Sequence, residues 1–372
     1  MIQIREIHAP DGLKEFIKFS FHLYKDNPYW VPALIGEECD NLNREVNPAF
    51  QHAEVWYFMA YKNEIPVGRM AVIINHKEVK LLQNKKLRFG WFDVVNDVEV
   101  SRALIEKAVE IGKKHQLEYL EGPMGFSNMD KAGMLVEGFD EMNTLISWYN
   151  HPYYESHFQK MGFEIGSEWV EFKLKIPEKP LEKVVRFSKI IQERNHVSIY
   201  KFKSKKDILD HADEMFGLLN KTYSILKTFI PIEGDQIAYY KKKYFPYLNP
   251  EFVICLKDQN NKIISFAIMM PSLSKALKKA NGSLFPFGWF YLWRENKYPK
   301  EAEFYLIGVD PEYQNKGLTA IIFKEVNDLF ARKGIRVAET NPELVENKAI
   351  QALWKDYNGR LHKRRRTYRK DI

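Results

Sequence analysis

Apolar and polar positions fall into two matching series along the chain. "VWYFMAYKNEIPVGRMAVII" (55–74) reads as two strands joined by a polar turn at Lys62–Glu64. "EFVICLKDQNNKIISFAIMM" (251–270) reads the same way, with its turn at Asp258–Lys262. After the first hairpin come a strand ("LRFGWFDVV"), an amphipathic helix ("EVSRALIEKAVEIGKKH"), a short strand ("LEYLEGPM") and an aromatic helix ending at Gly162. After the second come "EFYLIGV", "GLTAIIFKEVNDLFARKG", "IRVAET" and a helix ending near Gly359. Phe58 to Gly162 spans 104 positions and Phe252 to Gly359 spans 107. Equal order and nearly equal span predict two copies of one α/β (α+β) fold, each a mixed, mostly antiparallel sheet flanked by helices. The expected domains are 1–176 and 196–372, with 177–195 a linker ("PEKPLEK") and a connecting helix. The tetrapeptide "FGWF" occurs at 89–92 and 287–290, but only the first copy lies directly before a crossover helix, so the two are not equivalent.

Composition narrows the class. Of 372 residues, 45% are hydrophobic and 14% aromatic, enough for two cores. The longest apolar stretch, "IISFAIMM", is far too short to span a membrane. The start, "MIQIREIHAP", has no apolar signal region, so a cytoplasmic protein is expected. Cys39 and Cys255 lack metal-ligand spacing and are read as reduced and structural. His151 and His157, six apart, do not share a helix face, and no metal is expected. The net charge is +7, of which the last thirteen residues, "RLHKRRRTYRKDI", supply +6. The remainder is nearly neutral, so DNA is not an expected partner. The alternating basic tail is read as a solvated edge strand, with a phosphate-facing patch or a tRNA contact as alternatives.

One junction carries candidate chemistry. In "VDPEYQNKGLTAII" (309–322) a strand passes through Asp310-Pro311 and a polar loop into a helix with Gly317 at its mouth. First-turn amides lack intrahelical partners, and the helix dipole adds positive potential there. A glycine removes the Cβ that would keep an anion away, and Lys316 adds charge, so the loop suits a pyrophosphate. The first half has Asn96-Asp97 at this place. Asp97 is a good N-cap but repels phosphate, so the first half is read as a copy without an anion site.

The stretch resembles motif A of the GCN5-related N-acetyltransferases, Gln/Arg-x-x-Gly-x-Gly/Ala. Gln314 and Gly317 match, while Thr319 stands where the last small residue is usual. "GPMGFSNMDKAGMLVEGFDEMNTLISWYNHPYYESHFQKMGF" (122–163), with Glu339, Asn347 and Tyr368-Arg369, is similar to long tandem bacterial members. The resemblance implies that acetyl-CoA or another acyl-CoA lies in a V-shaped cleft where two parallel strands splay. Ile307, Gly308 and Val309 would line the pantetheine arm, with Asn347 a further contact. Gln314 and the amides of Asn315, Lys316, Gly317, Leu318 and Thr319 would hold the pyrophosphate. A strand N–H near Gly308 would polarise the thioester carbonyl.

The implied reaction is direct attack of an amine on the thioester, without metal, and Glu303 and Glu339 are the candidate bases. The usual acid, a Tyr about seven residues after the Asn, is replaced by Trp354. Tyr357 is the displaced candidate, or the thiolate leaves unassisted. The acceptor is expected to be a small-molecule or peptide amine, and the protein a monomer or homodimer. Segment 122–158 is expected to form an acceptor pocket or the floor between the halves, with a plain core role for its aromatics as the alternative. Two other classes stay open: a tRNA-dependent aminoacyl transferase of the peptidoglycan type, favoured by the basic tail, and a non-catalytic acyl-CoA or metabolite-binding protein, favoured by the missing Tyr.

Overall fold

The computed structural model describes residues 1–180, 182–224 and 229–372. The first half runs β1 (Ile2–Ile7), α1 (Leu13–Leu23), α2 (Ile35–Leu42), β2 (Ala53–Lys62), β3 (Ile65–Asn75), α3 (His76–Leu81), β4 (Lys86–Val94), α4 (Val98–Lys114), β5 (Tyr119–Gly122), β6 (Met134–Glu137), α5 (Tyr153–Lys160) and β7 (Glu164–Lys175). A connecting helix, α6 (Glu182–Asn195), follows. The second half runs β8 (Ser198–Lys201), α7 (Lys205–Asp210), α8 (Ala212–Tyr223), α9 (Asp235–Tyr244), β9 (Val253–Lys257), β10 (Ile263–Pro271), α10 (Ser274–Ala280), α11 (Gly288–Lys297), β11 (Glu301–Val309), α12 (Leu318–Lys333), β12 (Val337–Glu339), β13 (Glu343–Leu344), α13 (Lys348–Leu353) and β14 (Arg360–Asp371).

Both predicted hairpins and both strand–helix–strand crossovers are present. The parallel neighbours are β4/β5 and β11/β12; every other strand pair is antiparallel. In α12 the apolar positions Leu318, Ile322, Val326 and Leu329 recur every three or four residues and are buried beside β9–β11. In α4, Val100, Leu104 and Ala108 bury the matching face against β3 and β4.

The halves do not form separate sheets. Among the described residues the strand order is β1-β2-β3-β4-β5-β14-β7-β12-β11-β10-β9-β8, with β6 beside β14 and β13 beside β7. The last strand of each half is thus handed to the other. β14 sits between β5 and β7, and β7 between β14 and β12. A cut at 177–195 separates the two sequence repeats but crosses the middle of the sheet.

The solvated edge strand expected for the basic tail is corrected by this order, since β14 is central. Its charges are matched by an acidic neighbourhood. Arg365, with no exposure, pairs with the equally buried Glu171 and donates from Nη1 to the Trp148 carbonyl (2.5 Å). Lys363 is likewise buried and pairs with Glu339 and, at 3.6 Å, with Glu171. On the other face, Arg364 and Arg366 both reach Glu168, and Arg366 also reaches Glu155. Charges so enclosed are tolerated only when paired. Removing one partner of a buried pair costs about 3–5 kcal/mol, because the other charge is stranded. Arg365→Met should therefore lower the urea-unfolding free energy by about that amount, and Arg365→Met with Glu171→Leu should recover most of it. Equal losses in the single and double variants would mean that packing, and not the pair, sets the cost.

Candidate active site

The second-half fork is built at the end of the β11/β12 pairing. The strands are in register from Glu301↔Val337 to Glu303↔Glu339 and then part. The next link is made by a side chain: Asn341 Nδ2 donates to the Tyr305 carbonyl (2.6 Å). Beyond it one arm is the rest of β11, and the other is β13, which pairs with β7 through Glu343↔Val170 and Leu344↔Trp169.

Register decides which amides face the opening. Gly308 pairs with Phe266, and Asp310 N–H donates to the Ile264 carbonyl (2.8 Å). Alternation then ties Gly308 to β10 and turns the amides of Ile307 and Val309 away from it, into the fork. The N–H groups near Gly308 that are free to meet a carbonyl are these two. Gly308 itself is required by packing, since a Cβ would lie 2.8 Å from the Phe266 ring.

The loop after β11 is clamped. Lys221 of α8 bonds both Asp310 carboxylate oxygens (2.8 and 3.0 Å) and Glu312 (2.8 Å). Gln314 Nε2 donates to the Val309 carbonyl (3.4 Å), and Lys316 lies over the Tyr313 ring (4.4 Å). The amides of Gly317, Leu318 and Thr319 have no hydrogen-bond acceptor among the described residues. They open a helix of 16 residues and fit an anion. The backbone supplies a further reason for a glycine here. Gly317 is left-handed (φ 80°), and a Cβ would meet Ile191 of α6 at 2.7 Å. The residue serves the turn and the close approach of α6.

The two candidate bases part company. Glu339 is bound to Lys363 and flanked by His362. Burial pushes its carboxyl up, but the Lys363 charge and the hydrogen bonds from Lys363 and His362 outweigh burial and hold it well below the usual carboxylate range. Glu303 is 2% exposed at the apex of the fork. Tyr305 Oη donates to its Oε2 (3.1 Å), and Oε1 has no hydrogen-bond partner among the described residues. Burial, then the nearby Glu339, raises it to about 7.

Tyr357 lies in the core against Phe323 and receives a hydrogen bond from the buried Asn327 Nδ2 (2.9 Å). Asn347 caps α13, its side chain accepting from Ile350 N–H (3.5 Å). The Asn347 backbone N–H donates to the Leu344 carbonyl (2.9 Å), which sets the start of α13 beside the β13 arm. Sequence reasoning missed Glu343. Trp354, almost fully buried, donates its indole N–H to both Glu343 carboxylate oxygens (2.8 and 3.0 Å). Burial raises this carboxyl to about 8, against those bonds. The signal was present: where the expected Tyr is a Trp, a donor-only group needs an acceptor nearby.

The first-half fork is closed by its own side chains. Its last register pair is Arg88↔Glu121, so Arg88 stands where Glu303 does, and Arg88 is bound to Glu78 (2.8 Å). Val94 N–H, the counterpart of Val309, donates to Tyr154 Oη (2.8 Å), and Tyr153 Oη donates to the Val94 carbonyl (2.6 Å). Asp97 caps α4 by accepting from Glu99 N–H (3.1 Å) and also binds Lys62 (3.2 Å). In the aromatic segment, Phe126, Tyr149, Tyr154 and Phe158 are buried, while Met129, Met142 and Leu145 pack against the second-half core cluster and Ser274 Oγ donates to the Asn143 carbonyl (3.1 Å), so the segment forms part of the floor between the halves. A groove of about 670 Å³ does lie between the halves, bordered by Glu37, Arg44, Phe50, Asp235, Tyr239 and Lys243. None of its lining residues belongs to the fork or the Gly317 loop.

Doubled sheet, paired crossovers and splayed parallel strands together define the tandem GCN5-related N-acetyltransferase fold. Solved structures agree. A tandem protein of this class from the clavulanic acid biosynthesis pathway is 10% identical, covers 100% of this chain and 98% of its own, and superposes with a TM-score of 0.59. A GCN5-related N-acetyltransferase from Sphaerobacter thermophilus is 9% identical over 100% of this chain and 95% of its own, with a TM-score of 0.54. In sequence, the chain is 25% identical to protein YghO of Escherichia coli (strain K12), over 99% of this chain and 95% of that one. It is 24% identical to the bacterial ceramide synthase of Caulobacter vibrioides (strain NA1000 / CB15N), over 100% and 98%. No protein-family model matches.

The free amides of one loop and the capped one of the other predict one-sided binding. Adding acetyl-CoA should slow hydrogen exchange at 317–319 and leave 97–100 unchanged. Lys316→Glu, at an exposed position, should weaken acetyl-CoA binding by about tenfold in calorimetry with the melting temperature unchanged. Protection at 97–100, or unaltered affinity, would count against the assignment.

Proposed function

We propose that the protein is an acyl-CoA-dependent N-acyltransferase working from the second-half fork. The observation that carries this is the contrast between forks: one has free amides and, at its apex, a carboxyl without an ion-pair partner among the described residues, the other is plugged and ion-paired. The pyrophosphate rests on the amides of residues 317–319, with Lys316 beside it. Ile307 and Val309 offer N–H groups to the thioester carbonyl. An amine nitrogen attacks that carbonyl carbon, the C–S bond breaks, and an amide and a thiol form. Glu303 takes the ammonium proton, through water, and Glu343 supplies a proton to the leaving sulfur.

The proposed acceptor class is a small-molecule amine. Resemblance over the whole chain to a protein named a bacterial ceramide synthase makes a long-chain amino alcohol the first acceptor to assay, with acetyl-CoA and long-chain acyl-CoA as parallel donors.

The pH dependence tests the roles. Glu303 must be ionised to act as base, so activity rises as pH climbs through about 7. Glu343 must be protonated to act as acid, so activity falls as pH climbs through about 8. The profile should be a narrow bell. Glu303→Gln should lose roughly 10²–10⁴-fold in kcat and the acidic limb with it. Glu343→Gln should abolish the alkaline limb, whereas Tyr357→Phe should cost less than about tenfold. A hundredfold loss in Tyr357→Phe, with folding and acetyl-CoA affinity intact, would transfer the acid role to that tyrosine.

A further inference from the structure

The insertion between β10 and β11 carries the most conspicuous surface of the molecule. Phe285, Phe287, Trp289, Phe290, Trp293 and Tyr298 are 40–78% exposed within fourteen residues. Their helix, α11, is anchored by its opposite side: Leu292 is buried in the core and Gly288 packs so closely that a Cβ would lie 2.1 Å from the Ser283 carbonyl. The aromatics therefore cannot turn inward. Trp293 stacks on Phe290 (5.8 Å between ring centres), giving the outer face a continuous apolar ridge.

Positive charge accompanies this ridge. Residues 272–300 contain six Lys or Arg and one acidic residue, Glu295. Lys297 lies 4.9 Å from the Trp293 ring centre and 5.4 Å from that of Tyr298, so its charge sits at the border of the aromatics. Lys275, Lys279, Arg294 and Lys300 are also exposed. Tryptophan, phenylalanine and tyrosine rimmed by lysine and arginine match the boundary of a bilayer, where rings enter the headgroup layer and cations meet anionic phosphates. No helix among the described residues is long and apolar enough to cross a membrane, so the contact would be peripheral.

We infer that the α11 face docks the protein on the surface of an anionic phospholipid bilayer. The inference goes beyond the proposed reaction and does not depend on it. The same insertion leads directly into β11, and Leu284, Tyr291, Tyr305 and Leu306 pack against one core cluster.

The test is flotation of the full chain with vesicles of phosphatidylcholine alone, or with about one-third phosphatidylglycerol. The protein should float with the anionic vesicles, less with the neutral ones, and progressively less as salt rises. Trp289→Ser, Phe290→Ser and Trp293→Ser combined should keep the melting temperature and acetyl-CoA affinity but lose at least about tenfold in vesicle partition. Lys297→Glu should give an intermediate loss. Lys316→Glu should float like the unmodified protein, which separates this surface from the fork. Failure of the unmodified protein to float, or unchanged flotation of the triple variant, would overturn the inference. So would a dimer that the triple variant dissolves without any vesicle binding, because a second copy would then be the occupant.

Discussion

The antiparallel pair β7–β14 is the constraint on which the architecture rests. One strand supplies Glu168 and Glu171, and the other supplies Lys363 through Arg366. Side chains alternate between faces, so Lys363 and Arg365 share Glu171 while Arg364 and Arg366 share Glu168. A slip of one residue would place each cation on the wrong face and leave buried charges unpaired, which fixes the register strongly. The pairing also explains the chain's charge. Most of the +7 lies in a strand that the fold neutralises internally, so little of it is available to a nucleic acid.

That centre makes two forks from one fold, and their difference is chemical. The same backbone position holds Arg88 in one fork and Glu303 in the other. An arginine there finds Glu78 and closes the apex with a buried ion pair. A glutamate there meets a like charge, Glu339, which Lys363 already holds. Two carboxylates at adjacent register positions do not ionise equally easily, so one stays charged and the other is pushed toward neutrality. Lys363, held at the centre of the sheet, thus tunes the carboxyl at the fork's apex through Glu339.

Much of the fold was legible in the chain, because hairpin–crossover order and the near-identical spans of 104 and 107 residues are local properties. The helix mouth at Gly317 and the N-cap at Asp97 were legible for the same reason, since caps and helix mouths are written in neighbouring residues. The place of the tail was not. Alternating arginines look alike on a solvated edge and in an interior strand matched by glutamates two hundred residues away. Glu343 was signalled only indirectly: Trp354 announces that an acceptor must lie nearby, but burial and the fold, not any spacing, decide that Glu343 is that acceptor. The two copies of "FGWF" were rightly kept apart, since β4 buries its copy and α11 exposes much of the other, but exposure of that second copy could not be read from the residues.

The strand exchange gives a physical reason for keeping a half whose own fork is shut. β12 is three residues long, with β11 on one side and β7 on the other. β13, which carries Glu343, has β7 as its strand partner. Thr340, between them, is held by β7 as well: its N–H donates to the Phe172 carbonyl (2.9 Å), and its Oγ1 accepts from Phe172 N–H (3.0 Å). One whole arm of the open fork therefore hangs on a strand from the closed half. β7 is fixed in turn by β14, which is seated against β5 of the closed half. The plugged tyrosines and the Arg88 pair stiffen that support by filling it. A binding cleft there would have left the neighbouring strands free to separate. The first half thus serves the site as the wall against which the second half opens.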